Sequence, residues 1–253
     1  MNQVTEKKSA PLPANIFEED AAKGLGNIGQ QDLALPFLKI LGQLSPEVNK
    51  RDGKYVEGAE PGMIYNSVSG DLYDGVKGID VIPCFYKLEY IEWKDRGEGP
   101  GAPVAIYDSS SDIISKTSPD ANYKDRLPNG NYLENTANHF VVLVSGSTPS
   151  TALISMKATQ LKISKKWNTM MMSIKMKGKN GLFTPPTYSH IYRLKTVQMS
   201  NDKGTWYGWD VSKQDAIKDK GAYEIARTFA GRLSKGDVQV KQAPSETSTD
   251  VPY

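Results

Sequence analysis

The chain has little of the chemistry from which catalytic and metal sites are usually built. Its 253 residues contain one cysteine, Cys84, and two histidines, His139 and His190. One cysteine excludes an intramolecular disulfide framework and a thiolate-built zinc site, and two histidines exclude a histidine-rich metal cage. We therefore expect no metal and no cofactor, and the cysteine count favours a reducing, cytoplasmic setting.

Long apolar runs are also missing. No stretch approaches the roughly 18 uninterrupted apolar residues that a membrane-spanning helix requires. Residues Met1 to Lys8 are polar and lack the apolar segment of a secretory signal. With 38% hydrophobic residues the chain can still bury a sizeable core, in one large domain with tails or in two small domains.

Acidic residues are absent from the whole of 135–201, although 29 acids in 253 residues predict about seven in such a window. The window carries nine positive side chains, and the rest of the chain has a net charge of −7. These nine are Lys157, Lys162, Lys165, Lys166, Lys175, Lys177, Lys179, Arg193 and Lys195. A solvated surface normally mixes both signs, so a region of one sign indicates a polyanion-binding surface.

The first part of the chain predicts an arm followed by strands. Residues 1–30 predict a mobile arm with one helical turn near Phe17, and the apolar run 33–44 predicts a short helix. Residues 55–74 have the pattern of short strands joined by turns, and 78–93 are apolar on both faces, which is typical of a central strand. Simple alternation places Ile79, Val81, Phe85, Ile91 and Trp93 on one face and Ile82, Cys84, Tyr86, Leu88 and Tyr90 on the other.

The second part predicts a loop insertion at 97–131, strands at 139–144 and 152–156, and a helix at 158–176 with Trp167 on its apolar stripe. A hairpin of 188–199 with 205–211 and a helix at 213–234 follow. This order predicts a mainly β protein with added helices, in the α+β class. Its core would be an OB-like five-stranded barrel with a helix before the last hairpin and a C-terminal helix. The single nucleic-acid-binding domain would span 31–235, and 236–253 would form a disordered tail.

The motifs and residues that could serve catalysis do not have the sequence surroundings that such a role requires. Gly24 to Gly29 spells G-x-G-x-x-G, but no strand pattern precedes it, so we interpret it as part of the flexible arm. Cys84 falls inside the predicted central strand, which favours a buried structural thiol. The acids Glu89, Glu92 and Asp95 could hold Mg²⁺, yet a solvated, salt-bridged strand edge explains them better. We therefore expect no enzymatic activity.

Aromatic residues accompany the positive charge, as a binder of single-stranded nucleic acid requires for stacking on bases. The predicted hairpin contributes Tyr192, Trp206, Tyr207 and Trp209, and the central strand contributes Tyr86, Tyr90 and Trp93. About half of such rings should be core. On the second hairpin strand Tyr207 and Trp209 would share one face, with Trp206 on the other. With the nine positive residues, these seven form the predicted nucleic-acid-binding set.

The chain ends in Asp250-Val251-Pro252-Tyr253. This sequence resembles the C-terminal tip of bacterial single-stranded DNA-binding proteins, in which acids precede an aliphatic residue, a proline and a phenylalanine. The longer body is similar to phage-encoded single-stranded DNA-binding proteins. The resemblance implies an OB-fold core that binds the strand and a tip that docks replication or recombination proteins. Two departures are the small number of acids in the tail and tyrosine in place of phenylalanine.

The sequence therefore predicts a non-catalytic, largely sequence-independent single-stranded DNA-binding protein, encoded by a phage and acting in DNA replication, recombination or repair. One alternative is a virion or assembly protein whose basic region contacts DNA or a partner. A second is a metal-dependent nuclease. Oligomeric state, including a homo-oligomer, and preference for DNA over RNA are left open.

Overall fold

The computed structural model describes residues 15–18, 20–21, 23–24, 33–95, 97–99, 101–121, 123–146, 148–201, 204–236, 238 and 240. Residues from Leu35 onward belong to one compact unit, divided from the preceding residues between Ala34 and Leu35. The helices are α1 (Asn15–Glu18), α2 (Leu161–Met172) and α3 (Lys220–Ser234). None of them is both long and apolar enough to cross a lipid bilayer.

Thirteen strands are present in the described residues. They are β1 (Leu38–Ile40), β2 (Ile64–Asn66), β3 (Leu72–Tyr73), β4 (Ile79–Trp93), β5 (Ala105–Asp108), β6 (Ser118–Pro119), β7 (Asp125–Arg126), β8 (Tyr132–Leu143), β9 (Ser150–Lys157), β10 (Met176–Gly178), β11 (Gly181–Phe183), β12 (His190–Asn201) and β13 (Gly204–Ala216). The protein is thus mainly β with few helices, as the sequence predicted.

The main sheet is antiparallel and has eight strands. Its path is β13-β12-β4-β8-β7-β6, with β5 on the edge of β4 and β9 on β8. It curls into a half-barrel. The short sheet β1-β2-β3 lies beside it, and β1 contacts both β9 and β13.

A β-bulge in β4 decides which side chains reach which face. The register with β8 shifts between Pro83 and Phe85, so Cys84 has no partner residue. One extra residue reverses the alternation from that point on. Phe85 therefore packs with Ile82 and Cys84, whereas Leu88 packs with the opposite core. The predicted faces of 78–93 were right as far as Cys84, which shares the face of Ile82, and wrong from Phe85 onward, because simple alternation does not include a bulge.

The two faces of the sheet carry separate cores. On the first, the strands pack against α2, whose Trp167 is fully buried as predicted. On the second, they pack against α3 through Ala222, Ala226, Phe229 and Leu233, at helical spacing. The pleat of β8 shows the division, since Val141 belongs to the first core and its neighbour Val142 to the second.

The predicted helix at 33–44 was wrong. Phe37 forms a parallel bridge to Leu153, and the Pro36 carbonyl accepts a hydrogen bond of 2.8 Å from the Leu153 amide. The residues that follow form β1, which pairs with β2. Pairing with the edge of β9 thus outweighs the local preference of this apolar run for helix. The predicted turn near Phe17 is confirmed by α1.

Helix α3 starts later than the sequence predicted. Residues from Lys213 to Ala216 continue β13, because their pairing with β12 extends to His190. The helix begins where the Asp219 carboxylate accepts a 2.8 Å hydrogen bond from the Ala222 amide. Helix α2 is likewise shorter than the predicted 158–176, with a 3-10 turn at Ala158–Gln160 before it.

The insertion at 97–131 contains β5, β6, β7 and a 3-10 turn at Asp112–Lys116 between loops. Arg126 fastens it to the end of β4: its guanidinium makes a two-pronged pair with Asp95, at 2.7 and 3.0 Å, and a 2.9 Å bond to Asp120. A two-pronged arginine–carboxylate pair fixes geometry better than a single contact, so this insertion is held in a defined place.

Two glycines join the small sheet to the β12–β13 hairpin. The Thr196 amide donates to the Gly75 carbonyl at 2.9 Å, and the Thr196 hydroxyl donates to the Gly62 carbonyl at 2.6 Å. A Cβ on Gly75 would stand 2.0 Å from the Gly62 oxygen and 2.1 Å from the Thr196 hydroxyl. Only glycine fits at this junction without moving the backbone.

Gly75→Ala should therefore lower the free energy of unfolding by about 2 kcal/mol, the usual scale of overpacking. Gly53→Ala is the matched control, since an added Cβ there meets nothing within 4 Å. Urea denaturation of both variants checks this. An equal effect of the two substitutions would contradict the proposed junction.

Candidate nucleic-acid interface

Helix α2 presents lysines on the side that faces away from the core. Its buried residues are Ser164, Trp167 and Met171. Lys162, Lys165 and Lys166 are exposed and spaced at i, i+3 and i+4, so they share one helix face. Burial of the apolar stripe thus forces these three positive charges into solvent together.

One ion pair links helix α2 to the β12–β13 hairpin. Lys166 lies 3.5 Å from the carboxylate of Asp210, and Asp210 stands directly opposite Lys195 in the strand register. Directly opposed residues have Cβ atoms about 5 Å apart. Lys195 alternates with Leu194 of the first core and so points to the face of the sheet away from α2, where Asp210 links it to Lys166 alone. We call Lys162, Lys165, Lys166 and Lys195 the basic flank.

Acids from outside the acid-free window neutralise three of its nine cations. Lys157 lies 2.5 Å from Glu134, Lys166 pairs with Asp210, and the Arg193 guanidinium forks onto Asp80 at 2.8 and 2.6 Å. Hydrogen bonding to Asp80 raises the pKa of Arg193 further above its ordinary value. The fold thus reduces the free charge that the sequence suggested.

Six lysines keep their charge uncompensated. Within the part of the chain that the structure describes, no ion pair involves Lys162, Lys165, Lys175, Lys177, Lys179 or Lys195, and all six are exposed. Lys175 donates a hydrogen bond of 2.6 Å to the Thr184 hydroxyl, which leaves its charge unopposed. These six lysines are the strongest anion-attracting groups in the predicted set.

Three predicted stacking residues are unsuited to that role. Tyr192 is fully buried, and Trp209 and Trp93 are only 4% and 2% exposed. Tyr192 and Trp209 belong to the first core, and burial raises the pKa of Tyr192 to about 12. Lys157 lies over the Trp93 ring, 5.3 Å from its centroid. These rings offer no free face to a base, because Tyr192 and Trp209 pack in the first core and Trp93 is buried beneath Lys157.

The remaining predicted rings are more accessible. Trp206, Tyr207 and Tyr90 are partly buried, and the Tyr207 ring fills the space above Gly62. Tyr86 is 36% exposed, and its inner side contacts the buried His139 ring at a centroid distance of 5.1 Å. Tyr86 is therefore the ring of the predicted set with most free surface.

The sequence analysis missed a short hairpin between α2 and β12. Strands β10 and β11 pair with Gly178 opposite Gly181, which leaves Lys179 and Asn180 as a two-residue turn. The backbone angle φ of Gly181 is +107°, a conformation that residues with a side chain rarely adopt. The dipeptide Asn180-Gly181 is a hairpin signal that could have revealed this element. It carries Phe183, an exposed ring outside the predicted set.

The candidate catalytic side chains either bond to neighbouring protein groups or are unreactive near neutral pH. Burial raises the pKa of the Cys84 thiol to about 12, so it stays protonated and is a poor nucleophile near neutral pH. Glu89 binds Lys87 and Asn138 at 2.7 Å each, and Asp95 binds Arg126. Burial acts to raise the pKa of Glu92, but hydrogen bonds from Asn131, Tyr107 and Asn129 outweigh it and lower that pKa.

These three acids do not form a metal site. Their side chains point to separate protein partners, and no group of three metal-binding side chains occurs among the described residues. Most of the predicted arm 1–30, including the G-x-G-x-x-G segment beyond Gly24, and most of the predicted tail 236–253, including the tip Asp250 to Tyr253, lie outside those residues.

Fold and surface together define a mainly β protein with a lysine-rich, acid-poor surface. A family described as "Pam3 phage gp34-like protein" matches residues 5–239. The chain belongs to this family, which indicates a phage protein. Comparisons with curated proteins and with solved structures give no match.

His139 is a buried, uncharged residue of the α2 side of the sheet. Its Nε2 lies 2.8 Å from the Ser164 hydroxyl, and its ring stacks on Trp167 with centroids 4.4 Å apart. Burial lowers the pKa of His139 to about 3. In the unfolded chain the imidazole of His139 takes up a proton near pH 6.5, whereas in the folded protein it does so only near pH 3. The stability that the neutral His139 contributes is therefore complete above pH 6.5 and is lost as the pH falls toward 3.

As the pH falls from 7 to 5, we expect protonation of His139 in the unfolded chain to lower the free energy of unfolding by about 2 kcal/mol. His139→Gln should flatten this dependence, and His190→Gln is the control at the other histidine. Urea denaturation across that pH range measures both slopes. A wild-type slope in His139→Gln would show that another group is responsible.

Proposed function

We propose that this phage protein is a non-catalytic, largely sequence-independent single-stranded DNA-binding protein built on an OB-type barrel. The strand order supports the architecture. In chain order, the five long strands are β4, β8, β9, β12 and β13, and the first of them pairs with both the second and the fourth. Helix α2 lies between the third and the fourth. This strand order supports the proposed OB-type barrel.

The six unpaired lysines are the observation that carries the binding proposal. They lie on α2, on β12 and around the β10–β11 hairpin, with no acid in the sequence window that contains all three elements. Contact of such lysines with phosphates releases condensed counterions, which is the main source of sequence-independent affinity. Tyr86 adds one partly exposed ring for stacking.

The interface differs from the usual OB surface. OB domains commonly bind oligonucleotides over their second and third strands. Here α3 packs on Phe140 and Val142 of β8 and on Leu153 of β9, and so covers part of that surface. We therefore assign the DNA path to the basic flank and the β10–β11 hairpin.

The proposal extends to biological role and partners. A binder of this kind would protect single strands during replication, recombination or repair of phage DNA. The side chains Asp250, Val251, Pro252 and Tyr253 combine charge, a rigid proline and an aromatic anchor, which suits docking of a replication or recombination protein. A virion protein that neutralises packaged DNA would not prefer single strands, so competition by duplex DNA of equal charge separates the two roles.

Replacing Lys162, Lys165 and Lys195 with alanine tests the interface. Loss of three phosphate contacts should make the slope of log affinity against log salt shallower by about 2 and weaken binding to oligo-dT about 100-fold near 0.1 M salt. Fluorescence anisotropy with a labelled oligonucleotide measures both quantities.

The matched control replaces Lys50, Arg51 and Lys54 with alanine. These residues are exposed, and their replacement removes the same charge from a loop outside the acid-free window. Its salt slope should stay within experimental error of the wild type. If both triple variants lose the same affinity, binding follows net charge and the assigned interface is wrong.

Deletion of residues 250–253 should leave affinity for oligo-dT equal or higher, because it removes an acid from the chain, and should abolish recruitment of the partner protein. Anisotropy and pull-down of phage replication proteins measure the two effects. A large loss of DNA affinity would place these residues in the DNA interface instead.

A further inference from the structure

The dipeptide Asn-Gly occurs twice in the chain, at Asn129-Gly130 and at Asn180-Gly181. Asparagine is one of the thermally labile residues of proteins, because the backbone nitrogen of the following residue can attack its side-chain carbonyl carbon. A following glycine favours this attack, since it has no side chain to obstruct the new ring and its backbone rotates freely. The two sites have the same local chemistry, so their difference in reactivity depends on the fold.

The fold holds Asn129 firmly. Its Oδ1 accepts a hydrogen bond of 3.0 Å from the Asn131 amide, and its Nδ2 donates one of 2.9 Å to the Glu92 carboxylate. The next residue is held as well, because the Gly130 carbonyl accepts a 2.9 Å hydrogen bond from Arg126. Attack on Cγ requires the carboxamide to turn toward the backbone nitrogen, so these bonds would have to break first.

The fold gives Asn180 no such support. Asn180 is exposed, and its side chain makes no hydrogen bond to any residue that the structure describes. Strands β10 and β11 pair only with each other, and all their residues are exposed. A two-stranded hairpin of this kind is marginally stable in water, so it opens at little cost and frees the backbone around its turn. An added Cβ on Gly181 would meet nothing within 4 Å, which leaves room for a ring to form.

We propose that Asn180 is a site of spontaneous deamidation, whose products are isoaspartate and aspartate. The nitrogen of Gly181 forms a bond to Cγ of Asn180, and the bond from Cγ to Nδ2 breaks. Nδ2 leaves as ammonia and takes with it the proton of the Gly181 amide. Water then opens the succinimide ring: cleavage at Cγ gives aspartate, and cleavage at the main-chain carbon gives isoaspartate. The sequence of steps needs no oxidant or reductant.

The modification changes the charge of the surface around the hairpin. It places an acid inside the window 135–201, next to Lys179, where the unmodified chain has none. One positive charge of the hairpin is thereby opposed. The consequence for binding rests on the proposed function, which assigns this hairpin to the DNA path. On that assignment, deamidation is a slow and irreversible weakening of the interface.

Peptide mapping by mass spectrometry tests the site directly. After incubation of the full chain in warm, mildly alkaline buffer, the peptide that contains Asn180 should gain the mass difference between an amide and an acid. It should do so on the order of 10-fold faster than the peptide that contains Asn129, because two hydrogen bonds restrain that side chain. In concentrated urea the two peptides should convert at similar rates. Equal rates in the folded protein, or the same 10-fold difference in urea, would overturn the inference.

The consequence for binding has its own test. Asn180→Asp stands for the aspartate product and should weaken binding to oligo-dT about 5-fold near 0.1 M salt, the effect of one lost phosphate contact. Asn49→Asp is the matched control, because Asn49 is exposed and lies outside the acid-free window. Its Oδ1 accepts a 3.1 Å hydrogen bond from the Arg51 amide, which a carboxylate also accepts. This control should stay within about 2-fold of the wild type.

The outcomes separate the modification from the function. Equal losses in the two aspartate variants would overturn the effect on the interface, while the peptide maps decide whether Asn180 is the modified residue. A wild type that does not bind oligo-dT would overturn the proposed function and leave the modification site as the maps show it.

Discussion

The pairing of β4 with its two neighbours is the interaction on which the rest of the structure depends. β4 is hydrogen-bonded to β8 along nearly its whole length and to β12 at its start. The bulge at Cys84 lies within the pairing with β8, past the residues paired with β12, and turns the later side chains to the opposite faces. As a result, the first core can receive α2 and the second can receive α3. A regular β4 would direct Phe85 and Leu88 into the wrong layers.

The same pairing determines where positive charge remains free. Asp80 on β4, Glu134 on β8 and Asp210 on β13 come from outside the acid-free window, but the sheet brings them to Arg193, Lys157 and Lys166. Exposed pairs of this kind contribute about 0–1 kcal/mol each. The Lys166–Asp210 pair is about half exposed on both sides, so a phosphate can replace the aspartate at little cost.

The position of α3 has a consequence for function. By packing on β8 and β9, it provides a second core. In the OB-type barrel that we propose, it would also cover part of the surface on which OB domains usually bind nucleic acid. Among the residues that the structure describes, six exposed lysines of the acid-free window that form no ion pair lie elsewhere, on α2, on β12 and around the β10–β11 hairpin. Stability of the sheet and the site of the candidate interface are thus linked through one helix.

Local pattern predicted much of the fold. The central strand, the long hairpin, α2 with its buried Trp167 and the apolar stripe of α3 all follow from periodicity and turn residues, because these depend on near neighbours. The strand β1 in place of a helix did not follow, since it depends on pairing with Leu153 far along the chain.

The candidate interface, like the fold, was predictable from the sequence only in part. The sequence by itself determined that one segment carries positive charge without acids, that the chain has too few cysteines and histidines for a metal site built from them, and that aromatics accompany the charge. Only the tertiary structure decided which lysines stay unpaired, that Tyr192, Trp209 and Trp93 are core, and that Phe183 is exposed. Burial and ion pairing depend on contacts between distant residues, and no local pattern of residues encodes those contacts.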